Sequence, residues 1–411
     1  MAAVSAQDRI PEIDLSDPEL MRDPWSRYGA ARERSPLARL LIPGLGTMWA
    51  LLRHDGARAM LSDPRFELNA GSFAHRPAVA EEYLPYLRTM QELEGPEHHR
   101  LRRLVAPAFT ARRAARFRPR IERIVHRLLD ELPDHVADGT VDLQRHFTRP
   151  LPMDVICELV GIPESDRPRW REYGAIIAAG HGAGLAEAIP GIVEGATAAV
   201  AVRRAEPADD LVSDLLRAQS EDGDRLDDVE LVTLIWNVVL AGQTPTHLVA
   251  NSVAALLDHP QQLAALRADD ALLPGAVEEL TRWCGPQLLA IPRQAREDVE
   301  IHGTLISRGD RVTAALAAVN GDPRVYADPD RLNLQRTPGA AGHLGFLHGP
   351  HFCLGASIAR VQTEVALGAL LRRFPDLASA GTPQRVPDPG NWRLAALPVT
   401  LGAPVADPAP S

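Results

Sequence analysis

The chain has 411 residues, 45% hydrophobic and 24% charged, a globular composition that excludes disordered and fibrous classes. Aromatic residues make up only 5%, thin for an all-β sandwich, and the net charge of −10 argues against a nucleic-acid binder, whose footprint is basic. Cys157, Cys284 and Cys353 are an odd and widely spaced set, which fits a reducing compartment and no disulfide framework. The first residues carry Asp8, Glu12, Asp14 and Asp17 with no apolar run, so no signal peptide is expected and the expected location is the cytoplasm.

Apolar residues at three-and-four spacing predict helices over Met21–Glu33, Arg100–Leu132, Leu151–Val160, Asp228–Leu257, Gln262–Leu266, Ala276–Trp283 and Ala356–Phe374. Alternation predicts strands at Thr47–Leu52, Val299–Ile301 and Arg311–Ala318. Asp328–Pro329–Asp330 and Asp388–Pro389–Gly390 mark turns. No repeat or linker divides the chain. The expected architecture is mainly α with small β-sheets, one domain over residues 1–411, with 1–15 and 402–411 as frayed tails. Residues Leu231 to Leu257 contain no charge and are long enough to cross a bilayer, which takes about 20 apolar residues. Asn237, Gln243, Thr244, His247, Asn251 and Ser252 in the middle favour a buried helix and no membrane association.

Chemistry concentrates between Gly345 and Arg360. Free cysteines are most often buried small hydrophobes, but Cys353 follows a Gly349–Pro350 loop and precedes an apolar-periodic helix. A helix N-terminus favours a thiolate, and Gly355 leaves room for a flat ligand against the backbone. A nucleophile would need an activating dyad, and His351 has no evident third group to orient it. Zinc would need two to four Cys or His at ligand spacing, which the distant Cys157 and Cys284 do not supply. A single axial thiolate on haem iron fits better.

The stretch resembles the haem-ligand loop of the cytochrome P-450 superfamily, in its bacterial, actinobacterial-type biosynthetic form. Phe346, Gly349, His351, Cys353, Leu354, Gly355, Ala359 and Arg360 match; Leu347 departs, standing where the family usually has Gly. The resemblance runs from Arg22–Asp–Pro24 to Leu394–Leu401. It implies a triangular, mostly α fold holding haem b (Fe-protoporphyrin IX) between the Leu231–Leu257 helix and the Cys353 loop, with Cys353 as the iron ligand and Phe346 and Gly355 beside the cofactor.

Further motifs follow in the family's order. Glu279–Leu–Thr–Arg282 alone would be an ordinary helical ion pair. With Asp328–Pro–Asp–Arg331 it resembles the Glu–Arg–Arg network, so Glu279, Arg282 and Arg331 are expected to be structural. Pro96 to Arg103 is similar to the helix that grips the haem propionates, which implies His98 and Arg102 as donors, joined by Arg293 and His351, since carboxylates in a dry pocket need charge-assisted partners. Arg100, Arg103, Arg112 and Arg113 read as a solvated basic face suited to an acidic ferredoxin.

The oxygen-activating helix of the family usually reads Ala/Gly–Gly–x–acid–Thr; this chain has Ala241–Gly242–Gln243–Thr244–Pro245–Thr246. Counting from Asp228 puts Thr244 at the acid and Pro245 at the alcohol. Counting back from His259–Pro260 puts Gln243 at the acid and Thr244 at the alcohol, the preferred register because it keeps an alcohol. Neither supplies a carboxylate. Pro245 lacks an N–H and clashes with the carbonyl of Ala241, so a kink is expected.

The resemblance therefore implies a monooxygenase that inserts oxygen from O2 into a hydrophobic small molecule. Thr244, with Gln243, Ala241 and Gly242 around it, would serve the oxygen-activating step. Electrons would come from NAD(P)H through a ferredoxin and ferredoxin reductase, because no flavin or nicotinamide fingerprint is present. By analogy, Val238, Val239, Leu288, Leu289, Ala290, Ile291 and Trp392 line the substrate pocket, with the stretches Phe66–Met90 and Trp170–Val193. Basic residues that are all Arg, with abundant Ala and Pro, suit a high-GC bacterial source and a secondary-metabolite pathway. The substrate would arrive free or on a carrier protein, and the enzyme is expected to be a monomer. Two alternatives remain: a haem-thiolate oxidase for C–C or C–O coupling, ring formation or peroxide-driven oxidation, and a non-catalytic homologue that recruits a partner.

Overall fold

Prolines and short polar caps cut the chain into more helices than periodicity alone predicts. Asp23 accepts from the Ser26 N–H at 3.1 Å, and Pro24 follows it. The expected Met21–Glu33 helix is therefore two, Pro18–Arg22 and Pro24–Arg34. Thr110 accepts from the Arg113 N–H at 3.2 Å and begins a helix at Ala111, so Arg100–Leu132 divides into Gly95–Val105, a 3-10 turn over Ala106–Phe109, and Ala111–Glu131. Each cap satisfies a backbone donor that the first helical turn leaves free.

This computed structural model describes residues 10–44, 46–72, 78–179, 182–221, 226–337, 339 and 341–405. The chain forms two compact units, each assembled from three stretches. The first comprises Met1–Phe73, Asn251–Cys353 and Pro383–Ala395. It holds a six-stranded mixed sheet whose spatial order is Glu12–Asp14, Leu37–Ile42, Gly46–Leu51, Arg311–Ala314, Arg293–Ala295 and Phe66–Glu67. Leu37–Ile42 and Gly46–Leu51 pair as a hairpin, Leu37 opposite Leu51. Two apolar clusters occupy this unit, one around Tyr28, Leu40 and Ala317, the other around Leu61, Phe66 and Val312.

The second unit comprises Ala74–Ala250, Leu354–Thr382 and Ala396–Ser411 and is mainly helical. Ala356–Arg373 packs on Ala111–Glu131, and Asp228–Ala241 packs on Gly182–Ala205 and Pro150–Val160. Among the described residues one helix, within Gly184–Ala205, is long and apolar enough to cross a membrane; it packs against its helical neighbours instead.

Several expectations are corrected. Asp228–Leu257 is two fourteen-residue helices, Asp228–Ala241 and Pro245–Asp258; Pro245 does more than kink the helix, since it starts a new one at a first-turn position where its missing N–H costs nothing. Arg311–Ala318 is a strand to Ala314 and then a short helix, Leu316–Val319. The tails are partly built in: Glu12–Asp14 pairs in parallel with Arg39–Leu41, and the Val405 N–H donates to the Arg373 carbonyl at 2.9 Å. Residues 1–9 and 406–411 lie outside the described residues, as do 73–77 and 180–181 of the proposed substrate-facing stretches.

Candidate active site

The three cysteines have different surroundings. Cys157 and Cys284 are buried, and burial pushes both thiols up to about 12, which rules them out as thiolates near neutral pH. Cys353 is half-buried. Its N–H donates to the Phe346 carbonyl at 2.9 Å, closing the loop, while the Phe352 N–H donates to the Gly349 carbonyl at 3.0 Å. The following helix begins at Ala356, the residue where periodicity predicts it, with Gly355 as its cap residue. A Cβ at Gly355 would meet nothing within 4 Å, so the backbone there is open to a flat ligand.

The loop is tightly seated. Gly349 has φ +75°, and a Cβ there would lie 2.5 Å from the Leu61 carbonyl oxygen. Leu347, where the resemblance expects Gly, has φ +62°. Its N–H donates to the Leu344 carbonyl at 2.9 Å, and its side chain packs on the Leu61–Phe66 cluster. The departure at Leu347 thus keeps the left-handed turn that a glycine would make, at a steric cost offset by apolar contact.

Below the loop, Arg282 grips Glu279 with two hydrogen bonds, 2.7 and 2.8 Å. The third arm is not Arg331. Arg336 donates through Nε to Glu279 at 3.0 Å, and the Asn333 N–H adds a further donor at 3.0 Å. Arg331 is exposed and offers only its carbonyl, which accepts from Arg336. The Arg282 side chain also donates to the Asn320 carbonyl at 2.9 Å, and the Asn320 side chain accepts from the Leu344 N–H at 2.8 Å. The network therefore reaches the cysteine loop through one residue.

The proposed propionate donors occupy structured, interior positions. His98 is buried, one turn from half-buried Arg102 on the Gly95–Val105 helix. Arg293 is buried on the Arg293–Ala295 strand and donates to the Phe66 carbonyl at 3.4 Å, and His351 is half-buried in the loop. Arginine and histidine side chains are, by residue type, the donors that the carboxylates of haem need, and a cysteine is the ligand type that its iron takes. The basic face is smaller than expected, because Arg100 pairs with Glu230 and Arg113 with Asp209 at 2.8 Å.

At the helix interruption, Gly242 closes the first helix by donating to the Val238 carbonyl at 3.0 Å. Thr244 is exposed, and its hydroxyl donates to the Ala241 carbonyl at 3.2 Å. Gln243 is half-buried, and its side-chain oxygen lies beside Gly174. Of the substrate-pocket residues, Leu288 and Trp392 belong to the Tyr28 cluster, where Trp392 meets the Trp25 ring edge-on at 4.7 Å and Arg385 at 3.6 Å. Both are buried in that cluster. Ala290 joins the other cluster, and Val238 and Val239 are buried, leaving Leu289 and Ile291 partly exposed.

The chain matches the family model described as Cytochrome P450 over residues 197–399. It is 38% identical over 402 residues to cytochrome P450 107B1 of Saccharopolyspora erythraea, covering 94% of this chain and 96% of that protein. It is 39% identical over 359 residues to mycinamicin IV hydroxylase/epoxidase of Micromonospora griseorubida, covering 85% and 88%. Among solved structures, P450BioI in complex with hexadec-9Z-enoic acid ligated acyl carrier protein is similar at TM-score 0.83 and 31% identity, covering 93% of this chain and 100% of that one. Likeness of this extent, along nearly the whole length and in the fold, makes the chain a member of the cytochrome P450 family, the monooxygenases whose haem takes a cysteine thiolate as axial ligand.

Proposed function

We propose that this enzyme tailors a mid-sized hydrophobic secondary metabolite in a bacterial cytoplasm, with electrons delivered from NAD(P)H by a ferredoxin and its reductase. The observation that carries the reading is the contrast among the cysteines: two are buried with raised pKa values, and the third is half-buried in a closed loop. Cys353 would ligate the haem iron, His98, Arg102, Arg293 and His351 would hold the propionates, and Phe346 and Gly355 would flank the cofactor. Glu279, Arg282 and Arg336 support the loop without touching the reacting atoms.

When bound, haem supplies O2 activation and oxygen insertion. The chain must supply protons and exclude bulk water. No carboxylate lies between Leu231 and Leu257, so Thr244 serves as the alcohol of the relay. Its hydroxyl proton points back to the Ala241 carbonyl, so Thr244 accepts a hydrogen bond first and donates only after rotating. Ordered water, the Gln243 amide or a substrate hydroxyl completes the path. The missing acid also favours a second reading, peroxide-driven oxidation, in which the oxidant brings in the protons that O2 activation would draw through the chain.

Spectral titration of the ferric holoenzyme against polyketide, terpenoid, cyclic-peptide and aromatic metabolites tests the reading. A high-spin shift with one class names a free substrate. No shift with any, from protein that retains haem, points to a carrier-bound substrate. Haem-thiolate absorption surviving in Cys353→Ser would defeat the ligand assignment.

A further inference from the structure

The helix interruption at Gly242–Thr244 is held by shape on both sides. On one side, a Cβ at Gly242 would fall 2.5 Å from Ile156 Cγ1. On the other, the Gln243 side chain fills the space left by Gly174, in the helix Arg167–Ala179. A Cβ at Gly174 would lie 2.7 Å from Gln243 Oε1 and 2.8 Å from Met153 Cε. Among the described residues the Gln243 amide makes no hydrogen bond, so contact alone fixes it.

Gly174 does not serve backbone freedom. It is not among the residues with positive φ, and in a helix interior glycine is less favourable than alanine. A helical glycine that alanine could replace without backbone strain, and whose missing methyl is filled by a polar side chain from the next layer, is there for that side chain. We propose that Gly174 is a positioning residue: its bare Cα is the socket that seats the Gln243 amide and thereby sets where the Thr244 hydroxyl stands. The inference rests on the assignment of Thr244 to the relay. A methyl at 174 displaces the amide, because a helix backbone cannot yield by the required distance, whereas Gln243 Oε1 and Met153 Cε each end a flexible chain and can. Displacing the Gln243 amide shifts the neighbouring Thr244, whose turn is held, among the described residues, by its backbone bonds, the Thr244 hydroxyl bond to the Ala241 carbonyl and contact with Ile156.

The test compares full-length, haem-loaded Gly174→Ala, Gln243→Ala, the double variant and Thr244→Ala. Imidazole affinity is read from the ferric absorption spectrum, with melting temperature and, using a surrogate ferredoxin and reductase, peroxide released per NADPH consumed. Gly174→Ala should change imidazole affinity by about fivefold, a shift of the size overpacking produces in a tight contact. The double variant should return to within about twofold of Gln243→Ala, because without the amide the socket is not needed; this rescue also covers a Gly174→Ala protein that folds poorly. A neutral Gly174→Ala, or a double variant as impaired as Gly174→Ala, overturns the inference. If Thr244→Ala changes neither affinity nor peroxide yield, the relay assignment itself fails, which separates that failure from one confined to Gly174.

Discussion

The cysteine loop and the helix interruption are both short, irregular segments, yet they are held by different forces. From Ala341 to Cys353 the loop is cross-linked by polar bonds at nearly every step. Arg58 donates to the Ala341 carbonyl at 2.7 Å, and His54 and Tyr326 donate to that of Gly342 at 2.9 and 2.7 Å. His343 donates to Glu278 at 3.2 Å and accepts from the Gly345 N–H, and Asn320 holds Leu344. Among the described residues, the interruption is held by its own backbone bonds, the Thr244 hydroxyl, and contacts with Ile156 and Gly174. Directional bonds fix the loop in one geometry, because breaking any leaves a buried polar group unsatisfied. Contact shape fixes the turn only as well as its neighbours' sizes allow, so single methyl groups can retune it. The cysteine loop is built to stay constant, and the Gly242–Thr244 turn is built to be adjustable.

The largest effect that would sharpen this contrast is loss of Glu279. Its carboxyl is 2% exposed, and its partners Arg282 and Arg336 are 4% and 14% exposed. Glu279→Ala leaves two arginines uncompensated and releases Asn320 from its ordered partner. Breaking such a buried network costs roughly 3–5 kcal/mol, so the variant should unfold early in urea and lose haem. Arg336→Ala should follow it closely, while Arg331→Ala should stay within about 0.5 kcal/mol of the parent, as exposed positions do. Equal losses from Arg331→Ala and Arg336→Ala in urea melts would break the assignment of the third arm.

That pair also shows what the sequence can and cannot tell. Glu279 and Arg282 are legible because three-residue spacing on a helix puts them on one face. Arg331 and Arg336 lie in an irregular stretch, and the turns between Asp328 and Asn333 decide which arginine reaches inward; no periodicity records that. Pro245 announces a break, but whether a proline kinks a helix or starts another depends on whether the preceding turn can close, and Gly242 closes it here. Cys353 stands out in the sequence because its neighbours are chemically distinctive. Trp392 does not, because a large aromatic looks the same in the sequence whether it lines a pocket or packs on Trp25.

A smaller effect belongs to Leu347. Its left-handed backbone costs about 1–2 kcal/mol for a residue with a Cβ, and its partly buried side chain returns part of the roughly 1.5–3 kcal/mol of a fully buried leucine. Leu347→Gly relieves the first and forfeits the second. The two nearly cancel in stability, with a net loss of about 1 kcal/mol or less, but the loop gains freedom. The expected outcome is a melting temperature close to the parent's with faster haem release. Unchanged haem release would mean that the polar cross-links alone hold the loop, and Leu347 adds nothing to them.

The smallest expected effect is acid sensitivity, and of the two segments it should reside in the loop. Burial holds the His54 pKa below the ordinary histidine value, with Arg58 adding to the depression and the Gly342 carbonyl, Asp322 and Asp55 opposing it. Burial does the same for His348, reinforced by Arg58 and His54. In the window below about 6.5 the unfolded chain therefore binds protons that the folded chain refuses, so stability falls as pH drops through that range and is untouched above it. Carboxylates elsewhere add their own acid dependence, which makes the difference between variants the useful quantity. Between pH 7.5 and 5.5, His348→Gln should lose less melting temperature than the parent, with little change at pH 7.5. Thr244→Ala should keep the parent's slope, since residues 242–244 carry no titratable side chain. If the slope follows Thr244→Ala and ignores His348→Gln, the acid-sensitive element is not the loop, and the division between a bonded support and a shape-held turn does not extend to protonation.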